Sequence, residues 1–326
     1  MLLVGTRSSR LALRQTQEFL DLFTKNFPKE QFQIVPIKTT GDLITNKPLY
    51  EIGGKALFLK ELEEKLINKN LDLAVHSLKD VPAFLPIGLT LASFLPRAAS
   101  EDVLIANHNL FSLPKGSRIG SSSPRRKAFL ANLLGDRINL VDIRGNIDTR
   151  INKFKEGEVD GLILAKAGLA RLGLEGLIRE VIPTDLLIPA IGQGVITIEI
   201  REKDLELGGR LTAINNFPTL IEVTAERAFM IKMDGNCKTP IAALARVSKD
   251  FISLDSAFAL PDGSKIFRYQ TSSQLGADPL ITAEKLGLEA AIKIKEEIIS
   301  SNFFDKVRYL FGAGDGNRTH AASLEG

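Results

Sequence analysis

Asp72-Leu73-Ala74-Val75-His76-Ser77-Leu78-Lys79-Asp80-Val81-Pro82 is the stretch from which the rest of the chain can be read. An apolar run with a β-branched residue gives way to ionisable side chains and is stopped by Pro82. The spacing therefore predicts a buried strand that delivers His76, Lys79 and Asp80 to its carboxyl edge. Open α/β sheets bind ligands at that edge. On spacing alone, Lys79 and Asp80 read equally well as a solvated turn pair, so the remaining chain has to separate the two readings.

The same grammar recurs on both sides. Upstream, Leu2 to Val4 predicts a strand, Gly5-Thr6-Arg7-Ser8-Ser9 a polar turn with N-cap serines, and Leu11, Leu13, Phe19, Leu20 and Leu22 a helix. Phe32 to Ile37 predicts a second strand, followed by Lys38-Thr39-Thr40. Gly53-Gly54-Lys55 precedes a predicted helix over Ala56 to Leu66. Downstream, Leu89 to Leu95 and Glu101 to Ala106 are strand candidates, with Pro96 to Ser100 as a crossing into a second domain. There Arg118 to Arg126 gives a short strand, the serine turn Ser121-Ser122-Ser123 and a proline at helix entry. Ile138 to Ile143 ends in Arg144-Gly145-Asn146 before a helix carrying Arg150, and Asp160 to Leu164 leads through Lys166 to a helix with Arg171.

Ile188-Pro189-Ala190-Ile191-Gly192-Gln193-Gly194 reads as the return crossing into the first domain, with a strand over Val195 to Ile200. A helix over Thr219 to Lys232, a tight turn at Gly235-Asn236-Cys237, three strands (Ile241 to Val247, Phe251 to Leu260, Lys265 to Thr271) and a helix over Pro279 to Ser300 make a small α+β third domain. The expected domains are 1–96 with 194–215, then 97–193, then 216–311, followed by a tail, 312–326, expected to be disordered.

The 326 residues, 44% hydrophobic and 25% charged, suffice for two or three cores. No apolar run approaches the ~18 residues a membrane helix needs, and Met1-Leu2-Leu3-Val4 runs into Gly5-Thr6-Arg7 without a signal-peptide pattern; a cytoplasmic protein without membrane contact is expected. With one cysteine and three histidines spread over His76, His108 and His320, neither a disulfide nor a metal site is expected. Lys and Arg number 42 against 39 Asp and Glu, a net charge of +3, so the whole body is not that of a non-specific nucleic-acid binder. There is no Trp, and the basic loops lack interleaved aromatic residues for stacking on bases.

Local distribution is another matter. Arg7, Ser8 and Ser9; Lys38, Thr39 and Thr40; Lys79; Ser121 to Ser123 with Arg125 and Arg126; Arg144; and Lys166 all follow predicted strands. Cations, hydroxyls and helix N-termini gathered at one edge make an anion site. Arginine grips carboxylate or phosphate with two hydrogen bonds, so many separate arginines suggest a ligand with several anionic groups spread over space. No P-loop and no Gly-x-Gly-x-x-Gly after a strand is present, which disfavours nucleotides. Asp80 is then the one carboxylate facing a cleft built for anions, suited to stabilise a cation forming on an otherwise anionic ligand. Cys237, on a turn beside Lys238, reads either as a small buried apolar residue or as a thiolate suited to covalent attachment.

Gly53-Gly54-Lys55-Ala56-Leu57-Phe58, His76-Ser77-Leu78-Lys79-Asp80-Val81-Pro82, Gly120-Ser121-Ser122-Ser123-Pro124-Arg125-Arg126, Arg144-Gly145-Asn146, Ile188 to Gly194 and Gly235-Asn236-Cys237 together resemble the porphobilinogen deaminase (hydroxymethylbilane synthase) family, from Gly5 to about Leu310. The resemblance implies an α/β fold of two type II periplasmic-binding-protein-like domains with a central cleft, plus the small third domain. It implies a dipyrromethane cofactor joined by a thioether to Cys237, and a transferase of tetrapyrrole (haem) biosynthesis that joins four porphobilinogen molecules head to tail with loss of ammonia. By position, Asp80 and Lys79 match catalytic residues. Lys79, Asp80, Ser121, Ser123, Arg125, Arg126, Arg144, Gly145 and Arg150 match cofactor contacts. Arg7, Ser9, Arg144, Arg150, Arg171, Lys55 and Phe58 match positions around the substrate. Arg14 and Lys166 depart from the family pattern, which often has Trp and a small or apolar residue there. A monomer is expected. The competing reading is a non-catalytic two-domain module for a carboxylate or oxyanion, which would gain nothing from Asp80 in its cleft or from Cys237 nearby.

Overall fold

Among the described residues three separate sheets carry the chain, and two of them repeat one wiring diagram. The computed structural model describes residues 1–39, 59–235, 239–303 and 307. Lys55, Phe58, Cys237 and the tail 312–326 lie outside the described residues.

The first sheet contains β1 (Leu2–Arg7), β2 (Phe32–Ile37), β3 (Leu73–Ser77), β4 (Leu89–Phe94) and β10 (Ile196–Arg201), in the order β2-β1-β3-β10-β4. The second contains β5 (Asp102–Ala106), β6 (Ser117–Gly120), β7 (Ile138–Val141), β8 (Gly161–Ala165) and β9 (Glu180–Val181), in the order β7-β6-β8-β5-β9. In each, two parallel pairs lie beside a strand that runs the other way: β10 is antiparallel to β3 and β4, and β5 is antiparallel to β8 and β9. Each reversed strand is the one that enters its sheet from the other lobe. The reversed strand in each sheet is thus the first one laid down after a crossing, and the chain crosses between the lobes twice, at 95–101 and 182–195.

Helices α1 (Arg10–Asn26) and α2 (Lys60–Ile67) cover the first sheet; α3 (Pro124–Leu134), α4 (Ile147–Lys155) and α5 (Lys166–Arg171) belong to the second. Alternation along the strands sorts the cores. Val103 and Ile105 pack with Ile143, Ile151 and Leu162, whereas Leu104 packs on the other face with Ile119, Phe129 and Ile163. Asp102 opens β5 opposite Ala165, and so stands at the edge where β6, β7 and β8 end. After β10, α6 (Leu205–Thr212), which the sequence reading had not marked, packs Leu207 and Leu211 into the first core.

The third sheet, β11 (Ile241–Ser248), β12 (Phe251–Ala259) and β13 (Ile266–Gln274), is an antiparallel meander. One face, with Ala243, Ala245, Leu254 and Phe258, packs on α7 (Phe217–Lys232) and α8 (Pro279–Ser300). The other, with Ala242, Leu244, Ala257 and Ala259, joins the Phe129 core of the second lobe. Burial on both faces explains why β11 is a continuous apolar run, Ile241 to Ala245, and not an alternating one.

Both crossings are tied to the third sheet through Arg97. Its guanidinium bonds Glu222 (2.9 Å) and Glu226 (2.7 Å) of α7 and the Gln193 carbonyl (3.0 Å). Glu226, fully buried, accepts from Gly192 N–H at 2.7 Å and Ala245 N–H at 3.0 Å. Gly194 is obligatory: its φ is +90°, and a Cβ there would lie 2.5 Å from the Ala98 carbonyl oxygen on the other crossing.

Candidate active site

β3 ends at Ser77 and turns at once into a single 3₁₀ turn, Leu78–Asp80, closed by Val81 N–H donating to the Leu78 carbonyl at 3.0 Å. Leu78 and Val81 are buried, so the two residues between them, Lys79 and Asp80, are the ones turned outward. Asp80 Oδ2 lies 4.0 Å from Arg7 Nη1, at the end of neighbouring β1. With 40% of the Asp80 side chain exposed, such a pair is worth about 0–1 kcal/mol. It orients Asp80 without locking it against Arg7.

The second lobe brings its cations to the same place. Arg150 on α4 donates from Nε to the Gly145 carbonyl at 2.8 Å. Burial, then Arg126, Arg144 and Arg7 push its pKa down to about 10, with Asp80 opposing them. Charges from β1, from the 78–80 turn, from α3 and from the β7–α4 loop are therefore all felt at one guanidinium. Gly145, at φ +107°, makes the tight approach; a Cβ there would meet Thr149 at 2.7 Å.

Beneath this cluster sits Asp102, fully buried, which accepts from Arg125 Nη2 (2.7 Å), Arg126 Nη2 (2.7 Å) and Nε (3.1 Å), and Gln193 Nε2 (2.9 Å). Burial alone would push its carboxyl up, but Arg125 and Arg126 hold it well below the usual carboxylate range. Gln193 also accepts from Lys79 Nζ at 3.5 Å, so one carboxylate and one amide connect the arginines of the second lobe to the Lys79–Asp80 turn of the first. Lys79 keeps some solvent contact, yet burial and then Arg126 draw its pKa down to about 8, against the pull of Asp80 and Asp102.

Not every residue expected at the cleft is available to a ligand here. Arg125 and Arg126 are 4% and 6% exposed, and apart from Arg125 Nε, buried without a partner among the described residues, their donors largely serve Asp102 and the Ile188 and Ile163 carbonyls. Arg171, with 8% of its side chain exposed, bonds Glu18 of α1 at 3.0 Å and the Gly194 carbonyl at 3.1 Å, spanning the two lobes. Ser9 and Ser123 cap α1 and α3 by accepting from Ala12 and Arg126 N–H, and Ser121 accepts from Ser123 N–H. Neither helix has an acidic residue in its first turn, so both N-termini keep their positive ends. Lys166 pairs with Glu101 at 3.8 Å.

Asp102 was missed on sequence. Its signal is a second carboxylate at the head of the apolar run Asp102-Val103-Leu104-Ile105, where only a buried cation could satisfy it. A cavity of about 690 Å³ lies elsewhere, between the crossings and β11, lined by Arg97 to Glu101, Val181 to Asp185 and Arg246. Its arginines pair with Glu222, Glu226 and Asp255, whereas at Arg150 the like charges of Arg126, Arg144 and Arg7 stand against the one opposing charge of Asp80.

Two α/β lobes of repeated sheet topology, bringing cations from both to the Asp80 carboxylate, define an α/β protein suited to a polyanionic ligand. The family model for "porphobilinogen deaminase, dipyromethane cofactor binding domain" matches residues 2–208, and that for the "porphobilinogen deaminase, C-terminal domain" matches residues 220–296. The chain belongs to the porphobilinogen deaminase family. It is 45% identical over 272 residues to the porphobilinogen deaminase of Rickettsia prowazekii, covering 82% of this chain and 90% of that one. With the porphobilinogen deaminase of Roseiflexus sp. it shares 43% over 281 residues, 86% and 92% of the two chains. Among solved structures, a TRAP periplasmic solute binding protein from Desulfovibrio salexigens aligns at a TM-score of 0.41 and 14% identity, over 66% of this chain and 72% of that one. The fold assignment rests on the repeated sheet topology and not on that loose likeness.

Proposed function

We propose that this chain condenses four porphobilinogen molecules into hydroxymethylbilane, with Asp80 as the residue at the reacting centre. The observation that carries the reading is the convergence of Arg7, Lys79 and Asp80 from the first lobe with Arg126, Arg144 and Arg150 from the second. Each pyrrole carries an acetate and a propionate, so a growing chain is a string of carboxylates matched to cations set on several elements. When ammonia leaves the aminomethyl group of porphobilinogen, the remaining methylene-pyrrolenine is a cation. Asp80 is the group placed to stabilise it, and then to accept the proton released when the new carbon–carbon bond restores the aromatic ring. Its weak pairing with Arg7 leaves it able to turn to that cation.

A dipyrromethane supplies the primer to which units are added. The residues fit such a group: Arg126 and Arg144 disfavour the charge on Arg150, Arg126 and Arg125 disfavour that on Lys79, and Arg125 Nε is a buried donor without a partner among the described residues. In this reading Lys79, Ser121, Ser123, Gly145 and these arginines hold its carboxylates, Cys237 carries it, and Arg7, Ser9, Lys55, Phe58 and Arg171 surround the incoming substrate. The division into domains 1–96 with 194–215, 97–193 and 216–311 belongs to this reading. A cytoplasmic monomer belongs to the same reading.

Intact mass spectrometry tests the proposal. The purified protein should exceed the mass of the bare chain by two pyrrole units, and Cys237→Ala should remove the excess. Asp80→Ala should keep the adduct and lose nearly all porphobilinogen consumption. Normal turnover by that variant would take Asp80 out of the mechanism.

A further inference from the structure

Helix α7 touches the Asp80 turn at two successive points of one face. Val223 packs with Leu78, Val81 and Val195 in a small apolar cluster. Four residues on, and therefore directly above it on the helix, Arg227 reaches past Val81 and donates from Nη2 to the Pro82 carbonyl at 3.1 Å and the Ala83 carbonyl at 3.2 Å. The turn is held from the other side by Leu78 N–H donating to the Val195 carbonyl at 3.0 Å. One clamp thus comes from the return crossing and the other from the third domain, and Lys79 and Asp80 lie between them.

Arg227 is an uneconomical choice if the only need is to fill space. Its Nη1 is buried without a partner among the described residues, and burial draws its pKa down to about 10 with no neighbouring charge offsetting the loss. Replacing a buried charge by an apolar side chain of similar volume is commonly neutral or stabilising. Pro82 and Ala83 are only half-buried, so water can take over their carbonyls if the guanidinium is removed. A side chain kept at a cost to stability, and bonded to the two residues just past a functional turn, has the mark of a constraint on geometry. Five residues beyond Arg227, α7 ends, and Gly235 follows two positions before Cys237 in the sequence.

We propose that Arg227 is a positioning residue: by holding the Pro82 and Ala83 carbonyls from α7, it fixes the Lys79–Asp80 turn relative to the third domain, the domain that carries Cys237. The guanidinium does not touch the reacting atoms; it sets where Asp80 stands with respect to the third domain. This rests on the reading of Asp80 given above.

The test compares Arg227→Met, Arg227→Lys and Asp80→Asn as holoenzymes. Arg227→Met should carry the same adduct mass as the parent and show an equal or higher thermal midpoint. Its kcat for porphobilinogen consumption should fall on the order of 10–100-fold, the scale for a misplaced catalytic group, with KM nearly unchanged. Arg227→Lys, which keeps a donor but cannot span both carbonyls, should recover part of the rate. Parent-like kcat in Arg227→Met would overturn the proposal. So would loss of the adduct, or a fall in thermal midpoint that tracks the loss of rate and is not relieved by Lys, because either makes the role one of assembly or packing. Normal turnover by Asp80→Asn would instead refute the underlying reading, whereas an inactive Asp80→Asn beside a fully active Arg227→Met refutes this inference alone.

Discussion

Removing the Asp102 carboxylate should be among the most damaging single changes in the second lobe. In Asp102→Ala, two guanidiniums that are 4% and 6% exposed lose their counter-charge and three of their hydrogen bonds, and Gln193 loses a fourth. Breaking a buried pair by deleting one partner costs about 3–5 kcal/mol, a large part of the ~5–15 kcal/mol that holds a typical protein folded. With an m-value of about 2 kcal/mol/M, the urea midpoint of the transition that includes this lobe should drop by about 1.5–2.5 M. Asp102→Asn keeps the shape and one acceptor, so it should fall between parent and Ala. The sign of the pH dependence follows from a folded-state pKa held below the unfolded one. The stabilisation is complete above the ordinary Asp value of about 3.9 and is lost only as pH falls through the lower folded value. The gap between parent and variant should therefore be constant from about pH 5 to 9. A loss below about 1 kcal/mol, the net worth of an ordinary hydrogen bond, or a gap that closes near neutral pH, would refute the assignment of Asp102 as the counter-charge of both arginines.

Other consequences follow from particular groups. Because Lys79 titrates near 8, an alkaline limb with that apparent pKa is expected in log kcat/KM, and Lys79→Arg should move it upward; a profile flat to pH 9.5 in the parent would remove Lys79 from carboxylate binding. Glu63, 5% exposed and beside the His76–Glu199 pair (2.9 Å), has its pKa raised to about 7 by burial and Glu199, so between about 4.3 and 7 the folded state binds the extra proton and stability falls as pH rises. Glu63→Gln should flatten that fall in unfolding measured at pH 5.5 and pH 8, and an unchanged slope would count against it. Gly194→Ala combines a left-handed backbone with a Cβ 2.5 Å from the Ala98 oxygen and should lose more than about 2 kcal/mol by denaturant unfolding, whereas Gly176→Ala, with open space around it, serves as the neutral comparison.

Local sequence determined most elements and one edge of the site. Pro82 after an apolar run, serines before helical periodicity and a proline at helix entry act within a few residues, so β3, the Ser9 cap, the start of α3 and the placing of Lys79 and Asp80 at the end of β3 could be read without coordinates. The family blocks added the chemistry, because side chains that must meet a reacting ligand constrain residue type far more tightly than a core does. Strand direction, by contrast, is not written in a strand. That β5 runs against its neighbours is decided by which lobe the chain enters from, and only this puts Asp102 at the floor of the cleft, where it takes up Arg125 and Arg126. Whether an arginine grips a ligand or another part of the protein depends on what stands across from it: Glu18 for Arg171, backbone carbonyls for Arg227. Those partners lie 153 and about 145 residues away, a separation over which no periodicity or spacing carries information, and the tertiary fold alone brings them within hydrogen-bonding reach.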